Sequence, residues 1–262
     1  MTQSARRLAR VLALAVAMSS AGPAFAEAAL SAQALLESID ERMSVRSDYR
    51  GTVRIRTRLK NGTENVAEVQ VFRRDASEDL LLLFTRPQQQ RGGGYLRIGR
   101  NLWEYDPVAG RWERRTRRSA IVSTFTCESD FDRSRLAEEY EGKEEGAETV
   151  GGVTFRKLYL TGRPGKEVTF PIMRLWVDPD GNVVRRIGYA PSGRVLRADT
   201  IRGYQRLKDP STGKYFFHLK EVVEEIEELG VTVIVRYDEV QLSPLQANMF
   251  TKAWFETRTR RN

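Results

Sequence analysis

The sequence predicts a mainly β protein with few helices, built as a single strongly curved antiparallel sheet. Three observations lead there. Short runs of alternating apolar and polar residues recur along the chain, closed by turn residues such as Asn61-Gly62, Asp106-Pro107 and Asp178-Pro179-Asp180-Gly181. About eleven such runs stand against two helical stretches. After residue 26 no repeat, linker or change of composition divides the chain. A sheet of that many strands must curl, split or close, and a curled sheet covered by helices encloses an apolar volume.

Residues 1–26 read as a secretory leader. Arg6, Arg7 and Arg10 precede an unbroken apolar run from Val11 to Met18, and Ala24-Phe25-Ala26 is a small-x-small cleavage site. The run falls well short of the roughly 20 residues that span a bilayer. Cleavage after Ala26 and a periplasmic location are expected, with 27–262 as one domain; an uncleaved anchor is the rival reading. No cysteine follows the apolar run, so acylation at the cleavage point is closed. Cys127 is the one cysteine, so no intrachain disulfide forms and the domain must be held by burial. Removing the leader's arginines from the 43 basic residues leaves a modest excess over the 35 acidic ones, dispersed as on a mixed sheet surface.

The first element is a helix: Leu35, Leu36, Ile39 and Met43 form one stripe, and Ser31 suits its N-cap. Next comes a hairpin. Val53, Ile55, Thr57 and Leu59 alternate with Arg54, Arg56 and Arg58, and after Asn61-Gly62 the residues Ala67, Val69 and Val71 alternate with Glu68 and Gln70. The arginines and Glu68 therefore share a wet face, suited to cross-strand pairing or to an anionic ligand. Leu80 to Phe84 is apolar throughout, which predicts a central strand covered on both faces, by the sheet interior and by a helix or loop.

A meander follows through Tyr95 to Ile98, Trp103, Tyr105 and Arg111 to Arg115, in which Leu96 and Ile98 share a face with Trp103 and Tyr105 close by. These aromatics suit ordinary core or the lining of a cavity. Arg111, Arg114, Arg115, Arg117 and Arg118 are the densest basic cluster, with Trp112 among them. Guanidinium groups beside an indole suit nucleic acid, but export favours anionic head groups or an acidic partner at a membrane. A solvated edge strand with positive gatekeepers is the other reading.

Ser119 to Ser129, with Ile121, Val122 and Phe125, reads as a loop packed over one opening of the sheet. A helix then starts with Asp132 as N-cap and Phe131 stapled to Leu136. Glu138 to Glu148 reads as a solvated acidic connection. Strands resume at Val153 to Leu160, Pro171 to Val177, Val183 to Tyr189 and Val195 to Tyr204. Tyr215 to Glu227 has helical propensity, but its carboxylates suit the wet face of a long strand hairpinned to Val231 to Val235, and we read it as that strand. Ala247 to Phe250 reads as a short turn into Phe255 and a basic tail.

These residues carry a resemblance. Gly93-Gly94-Tyr95-Leu96-Arg97, Asn101-Leu102-Trp103-Glu104-Tyr105-Asp106-Pro107, Arg111-Trp112-Glu113-Arg114 and Ser129-Asp130-Phe131 occur in that order. Val168 to Pro171, Leu175-Trp176-Val177-Asp178 and Phe250-Thr251 before Phe255 follow. The chain resembles the outer-membrane lipoprotein-sorting protein family, the LolA-like periplasmic carriers, over nearly all of 27–262. One departure is Glu128 after Cys127, where the family has glycine. The resemblance implies an incomplete, half-open β-barrel of the LolA/LolB kind, lidded by α-helices around a hydrophobic cavity for acyl chains.

What the resemblance implies is transport without covalent chemistry, with no cofactor and no metal. The cargo would be lipoprotein or lipid acyl chains, moved toward the outer membrane from an inner-membrane donor, such as a resistance-nodulation-division exporter, to an outer-membrane acceptor. A monomer that binds no nucleic acid is expected. Leu82, Phe84, Leu96, Ile98, Trp103, Tyr105, Leu175 and Val177 are the expected lining, chosen from strand position. The alternative is a lipid- or lipoprotein-sensing module, like the amino-terminal domain of RseB-type periplasmic regulators. For an enzyme the inventory is poor: His218 is the sole histidine, in an apolar run that suits a packing or surface role, and no G-x-S-x-G elbow occurs. Acidic residues for a two-carboxylate glycosidase are present.

Overall fold

The computed structural model describes residues 30–116, 119–121 and 124–259. The leader, Arg117, Arg118, Val122 and the end of the tail lie outside the described residues. Helix α1 (Ala32–Arg42) starts where Ser31 Oγ accepts a hydrogen bond from the Ala34 amide, and it buries Leu35, Leu36 and Ile39. The strands are β1 (Tyr49–Arg58), β2 (Glu64–Arg74), β3 (Asp79–Arg86), β4 (Gly94–Ile98), β5 (Asn101–Asp106) and β6 (Arg111–Arg115), then β7 (Tyr140–Val150) and β8 (Val153–Gly162). They continue as β9 (Ile172–Val177), β10 (Val183–Tyr189), β11 (Val195–Ile201), β12 (Tyr204–Lys208), β13 (Tyr215–Leu219), β14 (Glu221–Ile226) and β15 (Val231–Leu242). The short helix α2 (Leu136–Glu139) precedes β7, and α3 (Lys252–Thr259) ends the described chain.

Thirteen strands form one antiparallel sheet in the order β6-β5-β4-β3-β2-β1-β15-β14-β11-β10-β9-β8-β7, with β12 and β13 as a separate pair. The first and last strands of that order do not pair, so the sheet is not closed into a barrel. Its curvature follows from a distance argument. Arg97 on β4 binds Asp132 while Arg186 on β10 and Arg197 on β11 bind Asp130. In a flat sheet β4 and β10, seven places apart, would be separated by more than 30 Å or so at ~4.8 Å per strand. Two residues of backbone span at most about 7 Å. The sheet must therefore curl round the segment that carries both aspartates.

Alternation sorts the side chains onto two faces. The inner face carries Val53, Ile55, Val69, Val71, Leu82 and Phe84 in one core, and Leu158, Leu160, Met173, Leu175 and Val177 in a second core beneath α1. On the outer face, Leu81, Leu83, Leu96 and Tyr105 are covered by Met249, Phe250 and Phe255. The run from Leu80 to Phe84 is therefore buried on both sides, within a strand three places from the sheet edge, as expected from the sequence.

Several local expectations give way. Asp132 does not cap a helix, because its carboxylate is taken by Arg97 and Arg135. Asp40 of α1 does the capping instead, accepting from the amides of Leu136 and Ala137 at 2.9 and 2.7 Å. No staple forms: Phe131 enters the first core and Leu136 packs on the second. The acidic stretch after α2 is the edge strand β7, solvated as expected but paired along its length to β8. The expected strand from Tyr215 to Glu227 breaks at Lys220 into β13 and β14, which lie in different sheets. The turn expected at Ala247 to Phe250 forms, but the segment after it, read as a basic tail, is the helix α3, whose Phe255 is wholly buried against Tyr105 and Trp112.

Close approach makes one glycine indispensable. A Cβ on Gly94 would lie 1.9 Å from the Leu82 carbonyl oxygen and 3.0 Å from the Phe255 ring. Gly94→Ala is expected to disturb the β3–β4 pairing and cost about 3 kcal/mol, the upper range for overpacking, read as a lower urea midpoint.

Candidate functional site

The inner wall is apolar except for a polar stripe. Arg186, Asp199 and Glu224 stand opposite one another across β10, β11 and β14, with Arg197 two residues before Asp199. On the far side of the curl, Arg73 of β2 and Arg97 of β4 also point inward and are buried. Between them runs the segment Cys127 to Arg135, which places Glu128, Asp130 and Asp132 in alternation.

Its carboxylates meet the arginines pairwise. Asp130 takes Arg197 at 2.6 and 2.9 Å and Arg186 at 3.1 Å, and its own backbone carbonyl accepts from the Tyr237 hydroxyl at 2.7 Å. Asp132 takes Arg97 at 2.6 and 2.9 Å, and Glu128 contacts the same guanidinium. Arg73 donates to the Phe131 carbonyl at 3.3 Å. The segment is thus pinned across the interior from both walls.

The protonation states follow from a charge count. Burial opposes ionisation of Asp130, but Arg197 and Arg186 outweigh it and hold the carboxyl well below the usual range. Asp132 is held down in the same way, by Arg97 and then Arg135. Two arginines on the β10–β11 side are matched by Asp130 and Asp199, which leaves Glu224 as a third acid. Burial, with Asp130 and Asp199 nearby, pushes Glu224 up to about 8 although Arg197 lies 3.4 Å away. His218 is buried, stacked on Tyr49 and edge-on to Tyr237; burial and Arg73 lower it to about 3, so it is a neutral packing residue. Burial pushes the Cys127 thiol up to about 12, far from a reactive thiolate.

Two cavities adjoin this segment. The inner one, about 90 Å³, lies between Met43, Leu175, Ile201, Val222 and the pinned segment. A cavity of ~150 Å³ holds one benzene, so this one holds no acyl chain while the segment is in place. The outer one is a cleft of about 660 Å³ between the end of α1, the β2–β3 turn and the β12–β13 hairpin. Val45, Ala76 and Phe216 form its apolar wall, and it falls within the ~300–1,000 Å³ of ligand pockets. Arg133 lines both cavities and stands between them.

The expected lining residues are spread over these surfaces. Leu175 borders the inner cavity. Leu82 and Phe84 lie in the first inner core and Val177 in the second. Leu96, Trp103 and Tyr105 do share one face, but it is the outer one: Leu96 and Tyr105 pack with Phe255, and Trp103 lies under the Lys252 ammonium at 3.4 Å. Ile98 is 42% exposed. Strand position told which residues alternate together, and gave no sign of which side carried α3. In the basic cluster, Arg111 pairs with Glu113, Arg115 with Glu104 and Glu113, and Arg114 donates to Asn101. The stripe of Arg97, Arg186, Arg197, Asp199 and Glu224 went unrecognised in the sequence. Its one signal was charge at strand positions with an apolar residue two places away on one side, as Val195 is from Arg197, Ile201 from Asp199 and Val222 from Glu224.

The comparisons bear on the fold. A family profile described as uncharacterized protein-like matches residues 76–257. No curated protein sequence matches the chain. Among solved structures, a LolA superfamily protein of Nitrosomonas europaea superposes with a TM-score of 0.73 at 23% identity, over 86% of this chain and all of its own. A DUF1329 family protein of Desulfovibrio piger gives 0.74 at 17%, over 85% and 96%. A Vibrio parahaemolyticus domain named for outer membrane lipoprotein sorting gives 0.73 at 15%, over 86% and 98%. The fold is that of the LolA superfamily.

Two substitutions test the pinning. Asp130→Asn removes one of the carboxylates that Arg186 and Arg197 share, leaving an excess of positive charge against Asp199 in the interior, and should cost about 3 kcal/mol in urea unfolding. Glu224→Gln should change the pH profile. A carboxyl raised to about 8 in the folded protein, from an ordinary 4.5, contributes stability that is full below 4.5 and is lost as pH rises toward 8. The wild type should therefore lose stability relative to Glu224→Gln across that window; parallel profiles would show that Glu224 does not titrate there.

Proposed function

The chain belongs to the family described as uncharacterized protein-like, and on its LolA-superfamily fold we propose a periplasmic carrier that binds acyl chains of lipoproteins or lipids and moves them toward the outer membrane. The observation that carries this reading is the pairing of the apolar-walled cleft with the small inner cavity, the two separated by Arg133 and by a segment held through side chains. An acyl chain entering at the cleft reaches the inner wall once that segment moves outward. Nothing in such a site requires covalent chemistry.

Magnitudes support a long cargo. A chain of about fifteen methylenes gains roughly 12 kcal/mol on leaving water. Breaking one buried ion pair costs about 3–5 kcal/mol. The segment is held at both walls, by Asp130 and by Asp132, so only a long chain gains enough to offset the loss of both contacts. Exchange between an inner-membrane donor and an outer-membrane acceptor would use the same movement.

Native mass spectrometry with lipid extraction, on protein purified from periplasm without detergent, should find acyl species bound. A fluorescent acyl probe should bind more tightly as its chain lengthens, and Ala76→Asp in the exposed part of the cleft wall should weaken it at least about tenfold. An empty protein that also takes up no probe of any length would overturn the carrier reading.

A further inference from the structure

The β12–β13 hairpin is a two-stranded sheet with one face on the core; on the other, β10 and α1 cover Tyr204 and Phe217, while Arg206, Lys208 and Tyr215 are exposed. Phe216 and His218 point inward, with Gln205 and Leu207 opposite them. The other face carries Arg206 opposite Phe217 and Lys208 opposite Tyr215. Arg206 lies over the Tyr215 ring at 3.6 Å, and Arg42 of α1 lies over Phe217 at 4.3 Å. Tyr215 is 51% exposed.

From Arg202 to Lys220 the chain holds Arg202, Arg206, Lys208, Lys214 and Lys220, all exposed, against a single acid, Asp209. Asp209 is spent inside the turn, accepting from Ser47, Ser211 and the Arg46 amide. Lys214 pairs with Glu41 and Arg202 with Glu221. Among the described residues no carboxylate pairs with Arg206, Lys208 or the exposed side chain of Arg46. The cluster on β6 differs, since Arg111 and Arg115 are matched by Glu113 and Glu104. Arg46, Lys214 and Tyr215 also line the rim of the 660 Å³ cleft.

We propose that the outer face of the β12–β13 hairpin docks the protein on a bilayer surface carrying anionic phospholipid, with the cleft turned toward the lipid. Cations on flexible stems are attracted to a diffuse negative surface without needing a matched geometry. Tyrosine suits the head-group level, its ring in the apolar part and its hydroxyl in water. An acidic protein fits this face less well, because protein interfaces centre on packed aromatic or apolar anchors and deplete lysine at their core. Here the exposed part is cationic with one aromatic at its edge. Docking of this kind would hold the cleft where acyl chains enter or leave, yet it is a property of the hairpin surface and stands apart from the cargo reading.

Sedimentation with vesicles tests it, using phosphatidylcholine alone and phosphatidylcholine mixed with phosphatidylglycerol. The purified protein should bind the mixed vesicles and not the neutral ones, and raised salt should release it. R206E combined with K208E should weaken vesicle binding at least about tenfold, whereas R111E combined with R114E should leave it within about twofold. The R206E/K208E protein should still take up the acyl probe, which separates loss of docking from loss of the cavity. Equal binding to both vesicle types, no binding to either, or unchanged binding by R206E/K208E would overturn the proposal. If R206E/K208E does not fold, as judged by circular dichroism, the neutral-vesicle and salt arms on the wild type still decide it.

Discussion

Everything inside this sheet depends on neutralising charges placed on its inner wall. Arg73, Arg97 and Arg197 are buried among leucines, valines and aromatics, with Arg186 half-buried beside them, where an unpaired guanidinium would be prohibitively costly. The chain meets much of that requirement with one short segment whose acids alternate, while Asp75 pairs with Arg73 and Asp199 with Arg186 and Arg197. Asp130 turns to the β10–β11 wall while Glu128 and Asp132 turn to β4. The same contacts that satisfy the arginines draw distant strands together. Curvature, coverage of the core and closure of the interior are thus one physical event.

That arrangement sets what the interior can hold. An inner wall covered only by helices would leave a continuous apolar trough. Here the pinned segment fills the trough and leaves about 90 Å³ beside it, while the larger volume lies outside, against the hairpin. Charge pairing is well suited to a removable cover. Its gain is concentrated in a few contacts, so the cover is either seated or displaced, whereas apolar packing alone would let it shift by degrees. Glu224 adds a proton-dependent member to the set, because two arginines on that wall already face two aspartates.

The two faces divide the remaining tasks. Outside, α3 and the turn before it cover β3 to β5 with Phe255 and Met249, and Lys252 sits over Trp103, so the aromatics of the meander serve stability there. At the mouth, the β12–β13 hairpin belongs to neither wall, and its outer face is the cationic surface beside the cleft. On the proposed carrier reading, capacity, cover and approach reside in different parts of the chain, and substitutions in one should leave the others readable.

Sequence alone determined what depends on near neighbours. The helix from Ser31, the hairpin round Asn61-Gly62, the doubly covered run from Leu80 to Phe84 and the meander to Arg115 each follow from local alternation, turn chemistry and capping, and they form as expected. A single antiparallel sheet follows from their sum. Tertiary structure decided the rest, because the deciding partners are remote in sequence. Asp132 lost its capping role to Asp40, about ninety residues earlier, since Arg97 claimed its carboxylate. Alternation told that Leu96, Trp103 and Tyr105 point one way, but only the docking of α3 made that way the outside. A strand's period gives two faces and no label for either; the label comes from what packs against them, for this chain the charge-pinned segment within and the apolar side of α3 without.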